Sequence, residues 1–323
     1  MIDFIGDEPE AVALADGGQL PQSARLALTP DKGSLFSTPT AILLLGTDHS
    51  TAAARSGDRH SDSITLLRTD PPHHRLYYLS IPRDLRVDIP GYGNAKINTA
   101  FQVGGPRLAA RTVASYTDIP INHVVIVNFA QFKDLIDAVG GIDIVVSEPI
   151  QSKFDCPYAT AARCARWPGW RFKPGKQHMN GQRALIYSRV RKNALNPADS
   201  DITREARNQQ VIQALMSKLA SFGTFVRMPF IGGDLMKPLS TDLSAGDFIQ
   251  LGWVRYRSGS GGSVHCRLGG DPQYLDGKAV LVPNEDNRAV ISMFTGESAP
   301  QPPPPGSSAY GPGCVTGNKS FPS

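Results

Sequence analysis

Short apolar runs alternating with helix-length amphipathic stretches set the rhythm of this chain. Ala41 to Leu45 is continuously apolar and is stopped by Gly46, the pattern of a strand buried on both faces. Comparable runs follow at Ser63 to Leu67, Leu76 to Ile81, Val124 to Asn128 and Ile142 to Val146. Helical spacing covers Gly105 to Tyr116, Phe129 to Val139 with Gly140-Gly141 as its stop, and a long stretch from about Ile202 to Ala220. Strands alternating with helices predict an α/β layered domain.

The punctuation between these runs suggests the organisation. Residues 1–38 are rich in Ala, Gly, Pro, Asp and Ser without periodicity and read as a loose lead-in; 39–296 carry the folded domain. Residues 297–323, with Pro300-Gln-Pro-Pro-Pro-Pro-Gly306, read as a low-complexity, disordered tail. Cys156 to Lys176 breaks the alternation with Pro157, Pro168, Gly169, Pro174 and Gly175, and reads as a long surface loop or insertion. Ser258-Gly-Ser-Gly-Gly-Ser263 reads as a flexible loop between two further strands. No internal repeat is visible.

Composition narrows the class. A chain of 323 residues with 41% hydrophobic and 19% charged residues can bury a sizeable core and is not a disordered chain. A net charge of +4 is too mild for a nucleic-acid coat or a polybasic membrane anchor. No apolar run approaches the roughly 18 to 20 residues of a membrane-spanning helix. The first residues carry Asp3, Asp7, Glu8, Glu10 and Asp16 and no cation before Arg25, so an export signal or anchor is expected to be missing, removed or upstream. Cys156, Cys164, Cys266 and Cys314 form no CxxC pair and argue against a zinc site. A local Cys156–Cys164 bridge would suit an oxidising, extracytoplasmic setting. Unpaired cysteines in a reducing cytosol are the alternative.

The mild net charge hides a local concentration. Between Arg163 and Arg207 there are eight Arg and three Lys against Asp199, Asp201 and Glu205, a net +8. Arginine grips phosphate or carboxylate bidentately and cannot lose its charge. Ser188-Arg189-Val190-Arg191 follows the apolar Ala184 to Tyr187; if that segment is strand-like, Arg189 and Arg191 share a face as an anion clamp. Arg204 and Arg207 share a face of the helix that follows. A solvated basic face is the bland alternative.

Two carboxylates sit at strand ends: Asp48 just after the first run, Asp62 just before the second. Strand ends line the ligand crevice of α/β sheets, and two carboxylates with phosphate oxygens and water suit magnesium (Mg2+). Turn or capping roles are equally open. Arg83 and Asp84 follow a strand stopped by Pro82, and Lys96 and Asn98 add a cation and an amide before Gly104-Gly105. The set looks built to neutralise a pyrophosphate. Gly169 to Lys176 fails as a P-loop, with five residues between its glycines and Gln177 in place of Ser/Thr. No GxGxxG or HExxH motif is present.

These residues also carry a resemblance. Leu43-Leu-Leu-Gly-Thr-Asp48, His60-Ser-Asp62, Ser80-Ile-Pro-Arg-Asp84, Lys96-Ile-Asn98, Val139-Gly-Gly-Ile142, Asn180-Gly-Gln-Arg-Ala-Leu185, Ser188-Arg-Val-Arg191 and Arg204-Glu-Ala-Arg-Asn-Gln-Gln210 occur in the order of the LytR-CpsA-Psr family. The chain resembles that family from about Thr40 to Phe294. The resemblance implies an α-β-α layered domain, a central mixed sheet flanked by helices, with an apolar groove for a polyprenyl chain. It implies transfer of a glycopolymer with one phosphate from a polyprenyl-pyrophosphate carrier to peptidoglycan, at the 6-hydroxyl of N-acetylmuramic acid. Asp48 and Asp62 would then bind Mg2+, and Arg83, Arg189, Arg191 and Arg204 the pyrophosphate. Lys96, Arg207 and Gln209 would complete the polar mouth, and Asp201 would assist proton transfer.

Two positions depart from the family pattern. His60 stands where an Arg is common, with Arg59 adjacent, and His49 and Ser50 stand where another Arg is usual. A phosphate contact would be lost there, be made by Arg59, or become pH-dependent through His60. The resemblance implies an extracytoplasmic enzyme at the outer face of the cytoplasmic membrane, touching the membrane surface through its lipid substrate. The Cys156/Cys164 insertion suits an actinobacterial type. A polyprenyl-pyrophosphate hydrolase and a non-catalytic lipid or wall-polysaccharide binding module are the competing readings. The basic window lacks interleaved aromatics and any helix-turn-helix pattern, so no nucleic-acid partner is expected.

Overall fold

In a computed structural model, the apolar run at Ala41 becomes an inner strand of an eight-stranded mixed sheet. The structure describes residues 18–19, 28–30, 33–47, 61–197, 203, 207–208, 210–212, 214–215, 218, 239–259, 261–275, 277–304 and 311–317, without the side chains of 18–19, 61–62, 128–132 and 245. The chain divides into two units, 1–131 with 220–323, and 132–219.

In the first unit the sheet order is β1 (Gly18–Gln19), β12 (Leu239–Thr241), β7 (His123–Asn128), β2 (Ala41–Thr47), β3 (Ser61–Asp70), β4 (Arg75–Ile81), β13 (Ser263–Arg267) and β16 (Gly313–Thr316). β2 runs parallel to β7 and antiparallel to β3; β4 runs antiparallel to β3 and parallel to β13. Leu43, Leu45, Ile64, Leu66, Leu79 and Ile81 are at most 3% exposed and form one face of the core. Helix α1 (Thr99–Thr117) adds Ala109, Ala110 and Val113 to that core. The predicted helix start at Gly105 is instead a break inside a longer helix: Gly105 adopts φ +58, which glycine accepts without a Cβ clash, and Pro106 restarts the helix. Two hairpins, β5 (Arg86–Ile89) with β6 (Gly93–Lys96) and β14 (Asp271–Leu275) with β15 (Lys278–Val282), complete the strands of this unit.

Helix α5 (Ala245–Ser258) packs on β4, and α6 (Asp286–Thr295) supplies Val290, Met293 and the fully buried Phe294. Tyr77 meets Phe294 edge to face, with ring centroids 6.2 Å apart. On the other side of β4, Tyr78 stacks on His265 at 4.8 Å.

Both ends of the chain depart from expectation. The lead-in contributes β1, paired with β12, and a buried Leu35. The tail contributes β16, in which Cys314 lies opposite Cys266 and is bonded to it. Proline-rich composition argues against a helix, but it leaves a short strand free to pair where a covalent link brings it to a sheet edge. The segment before β13 is also corrected: Ser258 ends a helix, so the glycine-rich linker joins a helix to a strand.

In the second unit, β8 (Ile142–Val146) pairs antiparallel with β11 (Gly175–Met179), and β9 (Ile150–Ser152) with β10 (Trp170–Phe172). Helix α2 (Phe129–Ala138) leads into this unit. The stretch from Cys156 to Lys176, read as a long surface loop or insertion, holds α3 (Ala161–Arg166), all of β10 and the start of β11. Cys156 and Cys164 are disulfide-bonded. The described residues between 203 and 218 are helical, in line with the long periodic stretch.

The Ala184 to Tyr187 run, for which a strand was one reading, is helical within α4 (Gly181–Arg189). A four-residue apolar run has no decisive period. The flanking groups settle the matter: the Asn180 side chain accepts from Arg183 N at 2.9 Å, and Asp137 Oδ1 accepts from Gly181 N at 2.7 Å. A Cβ at Gly181 would collide with the carbonyl of Lys133, so only glycine lets the helix start there.

Candidate active site

The end of β4 gathers charge in the first unit. Pro82 stops the strand and its carbonyl accepts from Leu85 N, turning the chain so that Arg83 and Asp84 stand at the strand end. The β5–β6 hairpin sets Lys96 opposite Arg86, and Ile97 N donates to the carbonyl of Leu85. Lys96 Nζ thereby donates to Asp84 Oδ1 at 2.7 Å, while Arg83 Nε lies 3.7 Å from Asp84 Oδ2. All three side chains are partly buried, between 24% and 35% exposed, which weakens screening of their charges. Asn98 N donates to the carbonyl of Arg83, and the buried Asn98 Oδ1 has no hydrogen-bond partner. The sequence motif containing Asp84 pointed here, yet its part as the carboxylate joining Arg83 to Lys96 needed the hairpin register to be seen.

The second unit presents a separate group of cations. Arg189 is the last residue of α4, and the cap residue Val190 is extended and fully buried. Arg189 and Arg191 are exposed on either side of it. The outward pair expected from a strand is therefore produced by a helix end followed by an extended residue. Arg207, expected at the polar mouth, is 5% exposed, and its Nη1 donates to the Val190 carbonyl at 2.9 Å. Its guanidinium thus braces the main chain between the two exposed arginines. Arg189 Nη1 lies 2.7 Å from Asp155 Oδ2. Asp155, immediately before the disulfide-bonded Cys156, was not singled out from sequence; the available signal was that it is the sole acid between Lys153 and Lys176.

Asp48, Arg59, His60, Asp201, Arg204 and Gln209 lie outside the described residues, as does the side chain of Asp62. Gly46 pairs with Ser63 and Thr47 with Ser61, so the ladder passes over Asp62 as a bulge. Thr47, next to Asp48, is 1% exposed and its Oγ1 has no hydrogen-bond partner. Among the described residues no three His, Cys, Asp or Glu side chains cluster as a metal site. The unpartnered Thr47 hydroxyl is an oxygen donor of the kind Mg2+ accepts, and Asp48 and Asp62 are assigned to such an ion by sequence position alone.

Comparison with known proteins adds an independent line. The LytR_cpsA_psr family profile matches residues 24–292. The "Polyisoprenyl-teichoic acid--peptidoglycan teichoic acid transferase TagU" of Bacillus cereus (strain AH820) is 34% identical over 217 residues, 67% of this chain and 64% of that protein. The chain therefore spans somewhat less than two thirds of that relative's length. The crystal structure of B. subtilis TagV superposes with a TM-score of 0.66 at 28% identity, covering 80% of this chain and 97% of that one. The structure of TagT bound to LI-WTA gives a TM-score of 0.62 at 26% identity, covering 83% and 93%. The mixed sheet with helices is the fold of these proteins. Among the described residues no helix is long and apolar enough to cross a membrane.

Proposed function

The chain belongs to the LytR-CpsA-Psr family, and from that premise we propose that it transfers a glycopolymer with one phosphate from a polyprenyl-pyrophosphate carrier to peptidoglycan. The acceptor is the 6-hydroxyl of an N-acetylmuramic acid. The observation that carries this reading is the Arg83–Asp84–Lys96 cluster at the end of β4, where two cations converge on one carboxylate at a partly buried strand end.

In the reaction the acceptor hydroxyl oxygen attacks the phosphorus that bears the glycopolymer. The bond from that phosphorus to the bridging oxygen breaks, and polyprenyl phosphate leaves with the electron pair. Such a displacement needs positioning and charge neutralisation more than a protein nucleophile. Arg83 and Lys96 are cations for phosphate charge, with Asp84 keeping both side chains in place. By the family pattern Arg189, Arg191 and Arg204 are assigned to phosphate binding as well, with Arg207 fixing the main chain between the first two and Gln209 adding a polar contact. Asp201 takes the acceptor proton. Asp48 and Asp62 would hold Mg2+, which when bound supplies further neutralisation of phosphate charge. His60 stands at the sequence position where the family pattern has Arg, and Arg59 beside it is the cation that would replace that phosphate contact.

The two disulfides support a site of action in an oxidising, extracytoplasmic space, at the membrane surface where a polyprenyl carrier resides. The test is mass spectrometry of products after incubation with Mg2+ and a polyprenyl-pyrophosphate oligosaccharide, with and without a peptidoglycan oligomer. A phosphodiester-linked conjugate that requires both the acceptor and Arg83 is expected. Acceptor-independent cleavage would make the protein a hydrolase, and lipid bound without turnover would make it a binding module.

A further inference from the structure

We propose that Asp155 is a resident competitor at the Arg189 anion site, its carboxylate occupying Arg189 until a phosphate-bearing ligand displaces it. The inference rests on the assignment of Arg189 to pyrophosphate binding.

The contact is short and charge-assisted, 2.7 Å between Arg189 Nη1 and Asp155 Oδ2. Both side chains are about half exposed, 46% and 57%, so the pair contributes little to folding and lies within reach of a ligand. Its geometry is nevertheless prepared from both sides. The carbonyl of Phe154 accepts from Trp170 Nε1 at 2.9 Å, and Cys156 is bridged to Cys164. Asp155 between them adopts φ +43, the left-handed region that Asp tolerates better than most residues. The carboxylate is thus carried by a clasped segment and not by a free chain.

Charge makes the pairing selective. From Lys153 to Lys176 the chain has Lys153, Arg163, Arg166, Arg171, Lys173 and Lys176, with Asp155 the only acid. That single carboxylate forms its ion pair with the arginine that ends α4. A carboxylate presents two oxygens to a guanidinium much as one edge of a phosphate does, so the two ligands exclude each other at Arg189. Asp155 acts here as a positioning residue: it keeps Arg189 oriented and partly neutralised before substrate arrives, and raises the apparent dissociation constant of any phosphate ligand.

The experiment is isothermal titration calorimetry of the full disulfide-bonded chain with inorganic pyrophosphate at fixed Mg2+. It compares the wild type, Asp155→Asn, Arg189→Ala and the double variant, with thermal melting to confirm folding. Asp155→Asn is expected to tighten binding about two- to fivefold, the range set by the strength of an exposed ion pair. Arg189→Ala is expected to weaken binding, and Asp155→Asn to have no further effect in that background. Unchanged or weaker binding in Asp155→Asn, with Arg189→Ala weakened, overturns the inference while leaving the anion-site assignment standing. Unchanged binding in Arg189→Ala removes that assignment, and the inference with it.

Discussion

The cations of the two units are alike in chemistry and unlike in how they are held. Arg83 and Lys96 share Asp84, a neighbour placed by a turn and a hairpin register, and all three are at least 65% buried. Arg189 pairs with Asp155, the residue just before the disulfide-closed Cys156–Cys164 loop, and both are near half exposed. The first arrangement is built into the sheet and cannot be dissolved without disturbing the strand end. The second has a partner that a competing anion can replace. Preorganised charge at low exposure favours stabilisation of a transition state, whereas replaceable charge favours capture and release of a ligand.

The disulfides sharpen the same contrast and give the largest expected effect. Cys266–Cys314 closes 48 residues in the first unit; Cys156–Cys164 closes only 8 in the second. Loop-closure entropy assigns roughly 4 kcal/mol to the longer bridge and roughly 2.5 kcal/mol to the shorter. Replacing Cys266 and Cys314 by Ser should therefore lower the denaturant-derived stability more than the same change at Cys156 and Cys164. Equal losses from the two double variants would break the contrast.

Acid provides the next test. Burial, reinforced by the Arg255 charge, holds His265 down at about 4, and its Nδ1 is buried without a hydrogen-bond partner. The unfolded chain takes up a proton near pH 6.5 and the folded chain does not, so stability is complete above that pH and falls between about 6.5 and 4. The difference corresponds to about 3 kcal/mol. Tyr78, stacked on this imidazole, stays neutral throughout, since burial pushes its pKa up. Urea midpoints across that window should fall for the wild type and fall less for His265→Phe. Parallel slopes for the two proteins would remove His265 as the cause.

These contrasts were unevenly legible in the sequence. The inner strands announced themselves because burial on both faces requires an unbroken apolar run, and β2 with its buried pattern is the clearest case. The edge strands β1 and β16 did not, since two to four polar or small residues have no period to read. Helix α4 was misread for a related reason: its start depends on Asp137 and Lys133, more than forty residues earlier in the chain. Arg83, Lys96, Arg189 and Arg191 were visible as cations of the right kind. Their carboxylate partners Asp84 and Asp155 were not assigned, because pairing is a property of register and loop closure and not of local composition.

The smallest effects expected are on turnover, and they divide along the same line. Arg83→Ala removes a partly buried donor from a fixed strand end, where water cannot readily replace its charge. A loss on the order of a hundredfold in kcat is expected, about 2.7 kcal/mol of transition-state stabilisation. Arg189→Ala removes a half-exposed donor beside Arg191, which stands two residues away and is also exposed. There the loss should be roughly tenfold, about 1.4 kcal/mol, and should fall mainly on KM, because a displaceable cation contributes to capture as much as to the reaction itself. Steady-state kinetics on both variants decide the matter. If Arg189→Ala lowers kcat as far as Arg83→Ala does, the excursion-held cation is as preorganised as the sheet-held one, and the difference in exposure carries no functional weight.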